Sequence, residues 1–442
     1  MPLYTPAVLD RIRARVRKMQ PEDVADTFDR CFLDTLDKTV EMVDDLNAFV
    51  ITGDIPAMWL RDSTTQLTPY LHFLNEDVLM ANTAAAVSRQ QLHYLLLDPY
   101  ANAFNSAPTG QGHADIPAAN DWVWERKFEL DSLCYPIQLA YRIWKETNRI
   151  DHLHEFPEAA AVILDILTVE QDHAASSGYR FDRPGAEEGD SLANDGTGYP
   201  VAATGMAWSG FRPSDDACRF NYNIPGNAFA VAELAHLEEL AVAVWGDQDL
   251  AARAKRVREA IEKGLLAFGV QENPEFGRVF AYEVDGLGES LLMDDANVPS
   301  LLSLPLLGYC RADDPTYVNT RSLILSAQNP YFFTGQKARG IGSPHTPDDM
   351  IWPIALAVEA LTTSDRARKQ EVACLLVETD GGTGLMHESF DVNNPTVYTR
   401  PWFSWANAMF CELVLELVGL RQPHRSAPHL EPGGREPLPL DS

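Results

Sequence analysis

Two loop segments of this sequence carry acidic residues in settings that suit acid–base chemistry. In Arg212-Pro213-Ser214-Asp215-Asp216, two adjacent carboxylates stand beside an arginine. One of them can therefore keep a proton near neutral pH while the other stays ionised, and a general acid needs such a raised pKa. In Met386-His387-Glu388, a glutamate beside a histidine in a glycine-rich loop could act as the base that activates a water molecule.

Both segments also have ordinary structural explanations. Ser214-Asp215-Asp216 is typical of a helix N-cap, and Glu388 could simply make hydrogen bonds within its loop. A helical zinc site would need a second histidine four residues after the first, and His387 has none at that spacing. The residue types alone leave both explanations open.

A third segment, 52–63, suits a sugar ring. Trp59 offers a flat apolar surface on which the C–H face of a sugar can stack, and the adjoining Arg61 and Asp62 can hydrogen-bond its hydroxyl groups. The alternative is that Asp62 caps a helix and Arg61 forms a structural ion pair. In a similar segment, Trp122 and Trp124 point the same way from an extended chain, as they also would in a half-buried edge strand.

An acidic loop precedes Pro299. It contains Asp294, Asp295 and Asn297, which could again cap a helix. Acidic loops also bind calcium, but this one lacks the regular ligand spacing of an EF-hand. The sequence therefore predicts no metal here.

Composition excludes several classes of function. The chain has 442 residues, 45% of them hydrophobic, and a formal net charge of −29. Such a surface repels nucleic acids and anionic membranes, so we expect neither as a partner. The six cysteines are scattered singly, which argues against disulfides or a thiolate metal site. With no apolar stretch of about 20 residues and no signal-peptide pattern, we predict a cytoplasmic protein.

Apolar residues recur with helical spacing through most of the chain. We predict an N-terminal helix, a weaker one over 60–74, and ten further helices at 22–43, 77–97, 133–146, 152–169, 228–244, 249–268, 298–308, 350–362, 364–379 and 402–420. Strand-like alternation is scarce and is clearest at 278–284.

Long loops rich in glycine, proline and aromatic residues separate many of these helices. Loops of this length in a compact domain are usually functional. Paired helices with an elaborate loop at every second junction predict an all-α fold, an (α/α)6 toroid whose long loops meet at one mouth. We expect one catalytic domain over 1–420 and a proline-rich, unstructured tail over 421–442.

Taken together, the motifs resemble one known family, glycoside hydrolase family 125. The resemblance rests on long matches that span about Pro21 to Gly419. They are Thr-Gly-Asp-Ile-Pro-Ala-Met-Trp-Leu-Arg-Asp-Ser, Trp-Ser-Gly-Phe-Arg-Pro-Ser-Asp-Asp-Ala, Met-Asp-Asp-Ala-Asn-Val-Pro-Ser-Leu-Leu, Gly-Ile-Gly-Ser-Pro-His-Thr and Met-His-Glu-Ser-Phe-Asp. One departure is Gly226, where the resemblance leads us to expect serine.

The resemblance implies an (α/α)6 barrel and an exo-acting α-mannosidase that prefers α-1,6-linked mannose. It also implies inversion at the anomeric carbon, no catalytic metal or other cofactor, and a mannose-containing oligosaccharide or glycan as substrate. Asp215 would be the general acid, with Asp216 as the second choice, and Glu388 the general base. The candidates to hold the terminal mannose are Trp59, Arg61, Asp62, Arg212, Asp216, Asp295, Asn297 and His345.

Two other functions stay open. A sugar epimerase or isomerase on the same toroid would need a histidine pair, for which only His345 and His387 lie in suitable loops. A non-catalytic carbohydrate-binding protein would not need both carboxylates. Hydrolysis of α-1,6-mannobiose separates these functions from the mannosidase.

Overall fold

The structure of the protein is a computed structural model that describes residues 2–186 and 188–422, and α-helices are its main elements. Their bounds are α1 (Pro6–Met19), α2 (Glu22–Asp34), α3 (Leu60–Thr65), α4 (Thr68–Leu71), α5 (Val78–Leu97), α6 (Asp131–Thr147), α7 (Phe156–Glu170), α8 (His173–Ser176), α9 (Ala193–Gly196), α10 (Ile224–Leu240), α11 (Gln248–Phe268), α12 (Pro315–Ile324), α13 (Pro353–Leu361), α14 (Arg366–Glu378) and α15 (Ser404–Leu417).

Side-chain caps fix where several of these helices begin. Asp77, Asp247, Asp314 and Asp365 each accept hydrogen bonds from two backbone amides in the first turn. These amides have no partner within a helix, so the carboxylates satisfy them and also favour the positive end of the helix dipole. The sequence thus defines helix starts locally.

The predicted helices are present except over 298–308, which forms turns, and the helices predicted over 22–43 and 350–362 each lose one end to a short strand, at 40–42 and 350–351. The buried carboxylate of Asp294 accepts the amides of Leu301, at 2.8 Å, and Leu302, at 2.9 Å. Pro299 and Pro305 have no amide hydrogen to donate, so each removes a hydrogen bond from any helical ladder across the segment. Conversely, α12 was not predicted, although the Asp-Pro pair that starts it is a helix-start signal.

The all-α expectation also left out short strands, which the described residues form in six small sheets. All of these strands are only two to four residues long, too short for an alternating pattern to show in the sequence. Their bounds are β1 (Val40–Met42), β2 (Ala48–Val50), β3 (Met58–Trp59), β4 (Ala103–Phe104), β5 (Val123–Glu125), β6 (Tyr222–Asn223), β7 (Val270–Asn273), β8 (Gly277–Phe280), β9 (Glu283–Val284), β10 (Ser290–Leu291), β11 (Phe332–Thr334), β12 (Arg339–Ile341), β13 (Met350–Ile351), β14 (Ser389–Asp391) and β15 (Tyr398–Thr399).

Three of the sheets have three strands, and all pairings are antiparallel. Their strand orders are β3-β4-β5, β10-β9-β6 and β13-β14-β15. The strand predicted at 278–284 divides between β8 and β9, and the extended segment around Trp122 and Trp124 becomes the edge strand β5. The fold is therefore helix-rich, with small sheets that support its loops.

Burial separates inner from outer helices. Helix α10 is buried on every side, whereas α1 and α11 bury one face only. A helix buried all round must be surrounded by other elements, and an amphipathic helix must face solvent. Helix α6 contacts α3 and α10, and α15 contacts α3 and α13, while α11 packs outside α10 and α2 outside α15.

The described chain continues two residues beyond the predicted domain boundary. Arg421 Nε donates to Glu412 Oε2 at 2.8 Å, and the Gln422 side chain donates to the backbone carbonyl of His72. The remainder of the predicted tail, 423–442, lies outside the described residues. Within the described part of the chain, no helix has the length and apolar character needed to cross a bilayer.

Candidate active site

A cavity with about 370 Å³ of empty space, its mouth included, collects most of the predicted site residues. Side chains from four of the long loops, 49–59, 178–225, 335–347 and 381–401, line it together, as we expected of these loops. The lining residues are Thr52, Ile55, Trp59, Arg61, Asp62, Pro213, Ser214, Asp215, Asn297, His345, Trp352, Glu388, Arg400, Phe403 and Trp405.

The floor of the cavity is built around Arg61 in the first turn of α3. Its Nη1 donates to Glu129 Oε2 at 2.7 Å and to Asp131 Oδ2 at 3.1 Å, and all three side chains are buried. Asp62 follows Arg61 and also lines the cavity. Burial raises the pKa of Asp62 to about 6, against the attraction of Arg61 and Arg400. The structural ion pair considered for Arg61 is thus present, with Glu129 and Asp131 as partners, and Arg61 also lines the cavity.

Asp215 is held at the cavity wall by a tight turn. Its amide donates to the Arg212 carbonyl at 3.0 Å, and the Arg212 amide donates to the Asp216 carbonyl at 2.8 Å. Asp215 adopts a φ of +70°, which non-glycine residues rarely do outside turns and functional sites. Lys127 Nζ donates to the Asp215 carbonyl at 2.7 Å and so fixes the turn from outside. The helix N-cap explanation for this segment is wrong, since no helix follows it.

The electrostatic surroundings of Asp215 differ from those expected of an isolated acid. Burial raises its pKa, but the cations Lys127 and Arg61 and a hydrogen bond with Glu129 outweigh burial, so the net direction is downward. Burial raises the pKa of Glu129 well above its usual range. The raised pKa expected of the general acid therefore falls on Glu129, which is not among the predicted site residues.

Asp216 points to a different partner. Its Oδ1 lies 3.2 Å from Nδ1 of His345, and Asp216 is not among the side chains that line the cavity. Although burial lowers the pKa of His345, the hydrogen bond and negative charge of Asp216 raise it to about 9. His345 is therefore a cation at neutral pH, and it faces the cavity beside Asp215.

Glu388 and Arg400 are brought together by the β14–β15 hairpin. Glu388 immediately precedes β14, Arg400 immediately follows β15, and Ser389 pairs with Thr399. Arg400 Nη1 lies 3.7 Å from Glu388 Oε1, and both residues line the cavity. The arginine thus forms an ion pair that can orient the Glu388 carboxylate toward the cavity.

Arg400 is itself held in place. Its Nε donates to Asp54 Oδ1 at 2.9 Å, its Nη2 donates to Thr52 Oγ1 at 3.0 Å, and its guanidinium lies 4.3 Å from the ring centre of Phe403. Sequence reasoning missed Arg400, and the chain offers no strong local signal for it. The contacts that place it join residues almost 350 positions apart.

Three of the predicted sugar-binding residues lie outside the cavity lining. Arg212 Nε donates to Glu283 Oε1 at 2.6 Å, and Asp295 Oδ2 accepts from Ser214 Oγ at 2.6 Å. Asp216, as noted, contacts His345. These buried or partly buried side chains brace the Asp215 loop, whereas Trp59, Arg61, Asp62, Asn297 and His345 do line the cavity.

Aromatic rings enclose the rest of the space. Trp352, Phe403 and Trp405 join Trp59 in the lining. The first three were not predicted, although Trp402-Phe403-Ser404-Trp405 is a dense aromatic signal at a helix start. Rings beside charged and amide groups suit a polyol, which has apolar C–H faces and many hydroxyl groups.

The histidine pair needed for an epimerase is not brought together. His387 is buried, contacts the carbonyl oxygens of Asp380 and Arg400, and stacks on Tyr398 with ring centres 3.7 Å apart. It does not line the cavity, unlike His345. Among residues 2–186 and 188–422, no group of three or more His, Cys, Asp or Glu side chains is arranged to hold a metal ion.

Comparison with known proteins gives consistent results. Residues 21–415 match the family described as metal-independent α-mannosidase, glycoside hydrolase family 125. The meiotically up-regulated gene 157 protein of Schizosaccharomyces pombe is 41% identical over 432 residues, which cover 92% of this chain and 84% of that protein.

Solved structures extend the comparison. A metal-independent α-mannosidase of Streptococcus pneumoniae, in a non-productive complex with α-1,6-mannobiose, is 48% identical, with a TM-score of 0.93 over 95% of this chain and 100% of that one. A bacterial glucoamylase in complex with acarbose is 13% identical, with a TM-score of 0.54 over 83% of this chain and 49% of that one. At that identity the likeness concerns the fold alone.

Proposed function

This chain belongs to the metal-independent α-mannosidases of glycoside hydrolase family 125, and we propose that it is an inverting exo-enzyme that releases terminal α-1,6-linked mannose. The observation that carries the proposal is that Asp215 and Glu388 line one small cavity. The complex of the S. pneumoniae relative with α-1,6-mannobiose supports the linkage.

In the proposed reaction, Asp215 protonates the glycosidic oxygen as its bond to the anomeric carbon breaks. Glu388 takes a proton from a water molecule that attacks that carbon from the opposite face of the ring. Inversion requires the two carboxyl groups to stand roughly 6.5–9.5 Å apart, which leaves room for the water. The lining of one cavity by side chains from two separate loops supports such opposed positions.

The remaining lining residues would bind the sugar. Trp59 would stack on its apolar face, while Asp62, Asn297, His345 and Arg400 would bond its hydroxyl groups. A cavity of about 370 Å³ fits one sugar ring better than a long chain, which supports exo-action on a terminal residue.

We also infer that the helices form a single catalytic domain of the (α/α)6 type. The inner position of α10 and the neighbours α3, α6, α13 and α15 support it, as do the outer positions of α2 and α11. Loops at one end of such a toroid would form the cavity and its mouth.

Hydrolysis of α-1,6-, α-1,2- and α-1,3-mannobiose by the purified protein tests the proposal. We expect release of mannose mainly from the α-1,6 disaccharide, with a loss of roughly 10²-fold or more in Glu388→Gln. Glu371→Gln, an exposed carboxylate on α14, is the matched control and should keep full activity. Absence of hydrolysis in the wild-type protein would contradict the proposal and favour a non-catalytic carbohydrate-binding protein.

A further inference from the structure

We infer that the buried carboxyl group of Glu129 holds the proton that Asp215 passes to the substrate, so that the two carboxyl groups act as one acid. Glu129 would be a positioning residue, since it contacts Asp215 and does not line the cavity. This inference rests on the proposed role of Asp215 as general acid.

Glu129 has one satisfied and one unsatisfied oxygen. Its Oε2 accepts from Arg61 Nη1 at 2.7 Å and from Ser132 Oγ at 3.3 Å. Its Oε1 is fully buried and has no donor. A buried acceptor without a donor is costly unless the group itself carries a proton and donates.

Asp215 presents the matching half of the pair. Its Oδ1 is also fully buried without a donor, while 30% of the side chain is exposed. Asp215 also lines the cavity, where a substrate can reach the exposed part of its side chain. The two carboxyl groups are hydrogen-bonded if one of them is protonated. One shared proton would satisfy both buried oxygens at once.

The local charges favour keeping such a proton. Around Arg61 stand Glu129, Asp131 and Asp62, with Asp215 Oδ1 at 3.7 Å from Nη2. Lys127 adds positive charge beside Asp215 and Arg400 adds it beside Asp62, but the cation that contacts Glu129 is Arg61, which three other carboxylates share. The resting proton lies on Glu129, because burial raises its pKa while Lys127 and Arg61 keep Asp215 ionised.

The proton moves in two connected steps. Glu129 Oε1 gives its proton to Asp215 Oδ1, and the Asp215 carboxyl group then turns about its Cβ–Cγ bond, so that the same proton passes to the glycosidic oxygen as the C–O bond breaks. Glu388 gains one proton from the attacking water. The carboxyl pair thus loses one proton and Glu388 gains one, and exchange with solvent restores both before the next turnover.

The test compares Glu129→Gln with the wild-type protein on two substrates. α-1,6-Mannobiose has a poor leaving group that must be protonated, whereas 2,4-dinitrophenyl α-mannoside has a good one that need not be. We expect kcat on mannobiose to fall roughly tenfold or more, with little change on the aryl mannoside. The basic limb of the mannobiose pH profile should move to lower pH, because Asp215 would have to hold the proton alone.

Two further variants separate this role from a merely structural one. Asp131→Asn removes another hydrogen-bond partner of Arg61 and should lower kcat on both substrates equally. Glu129→Asp keeps a carboxyl group, so its pH profile on mannobiose should have the wild-type form that Glu129→Gln loses. In an Asp215→Asn background, Glu129→Gln should add no further loss. If Glu129→Gln does not fold, infrared spectroscopy provides the test. The wild-type protein should show the band of a protonated carboxyl group at neutral pH, and this band should shift or disappear in Asp215→Asn.

Equal losses of Glu129→Gln on both substrates, or an unchanged pH profile, would overturn the inference. So would a fully additive loss in the Asp215→Asn background. The proposed function fails separately, if the wild-type protein does not hydrolyse mannobiose or if Asp215→Asn retains wild-type rates on it.

Discussion

The guanidinium of Arg400 lies 3.7 Å from the carboxylate of Glu388, measured from Nη1 to Oε1. The two residues flank a short hairpin, and Asp54 and Thr52 hold the arginine from the other side. The proposed base is therefore positioned by a cation that is itself anchored.

Removing the Arg400 charge should slow hydrolysis. We expect Arg400→Gln to lower kcat/KM on α-1,6-mannobiose roughly tenfold, because Glu388 loses its fixed partner. The kcat/KM of Arg400→Lys should lie between those of the wild-type protein and Arg400→Gln, because lysine keeps the positive charge but lacks the planar set of donors of the guanidinium. Steady-state kinetics check this, with the exposed Arg278→Gln as control. A wild-type kcat/KM in Arg400→Gln would show that Glu388 does not depend on Arg400.

The two adjacent aspartates should behave differently. Asp215→Asn should lower turnover of mannobiose roughly 10²-fold or more yet retain activity on an aryl mannoside with a good leaving group. Asp216→Asn should have a milder effect on both substrates, because Asp216 acts through His345. The reverse ranking of the two variants would transfer the acid role to Asp216.

His345 should titrate well above an ordinary histidine. Asp216 raises its pKa to about 9, so a histidine NMR titration should show a charged ring at neutral pH. Asp216→Asn should lower the midpoint of the His345 titration, because the negative charge beside the ring is removed. The contact between His345 and Asp216 contributes its full stabilisation of the fold below pH 6.5, the ordinary pKa of histidine. This stabilisation is lost as the pH rises through about 9. A midpoint near 6.5 in the wild-type protein would contradict this assignment.

Gly53 should tolerate no side chain. Its φ is +128°, and a Cβ there would lie 2.5 Å from the carbonyl oxygen of Trp402. We expect Gly53→Ala to lower the free energy of unfolding by about 2 kcal/mol or more. Gly178→Ala, which has nothing within 4 Å, should change it by less than about 1 kcal/mol. Denaturant unfolding measures both, and equal effects would contradict the steric argument.

The sequence predicts most helices correctly because their signals are local. The 298–308 error arises because Asp294, a side chain outside the segment, takes the amides that a helix would use. No periodicity reveals such a contact. The short strands escape prediction for a related reason, since pairs such as β3 with β4 depend on residues about 45 positions apart rather than on an alternating pattern.

The site was predictable in part. Four residues that the motifs singled out, Asp215, Glu388, Trp59 and Asp62, line one cavity. They did not show that Arg212 bonds Glu283, 71 positions away, nor that Arg400 reaches Glu388. Residue type suggests which side chains can do chemistry, but long-range packing decides which of them face the cavity. The cytoplasmic location stays a prediction.

The most direct test of the central claim follows the hydrolysis of α-1,6-mannobiose by proton NMR from the first seconds. We expect β-mannose to appear first and then to equilibrate with the α-anomer, because water attacks the anomeric carbon opposite the bond that Asp215 protonates. Initial release of α-mannose, or no release at all, would contradict an inverting pair formed by Asp215 and Glu388.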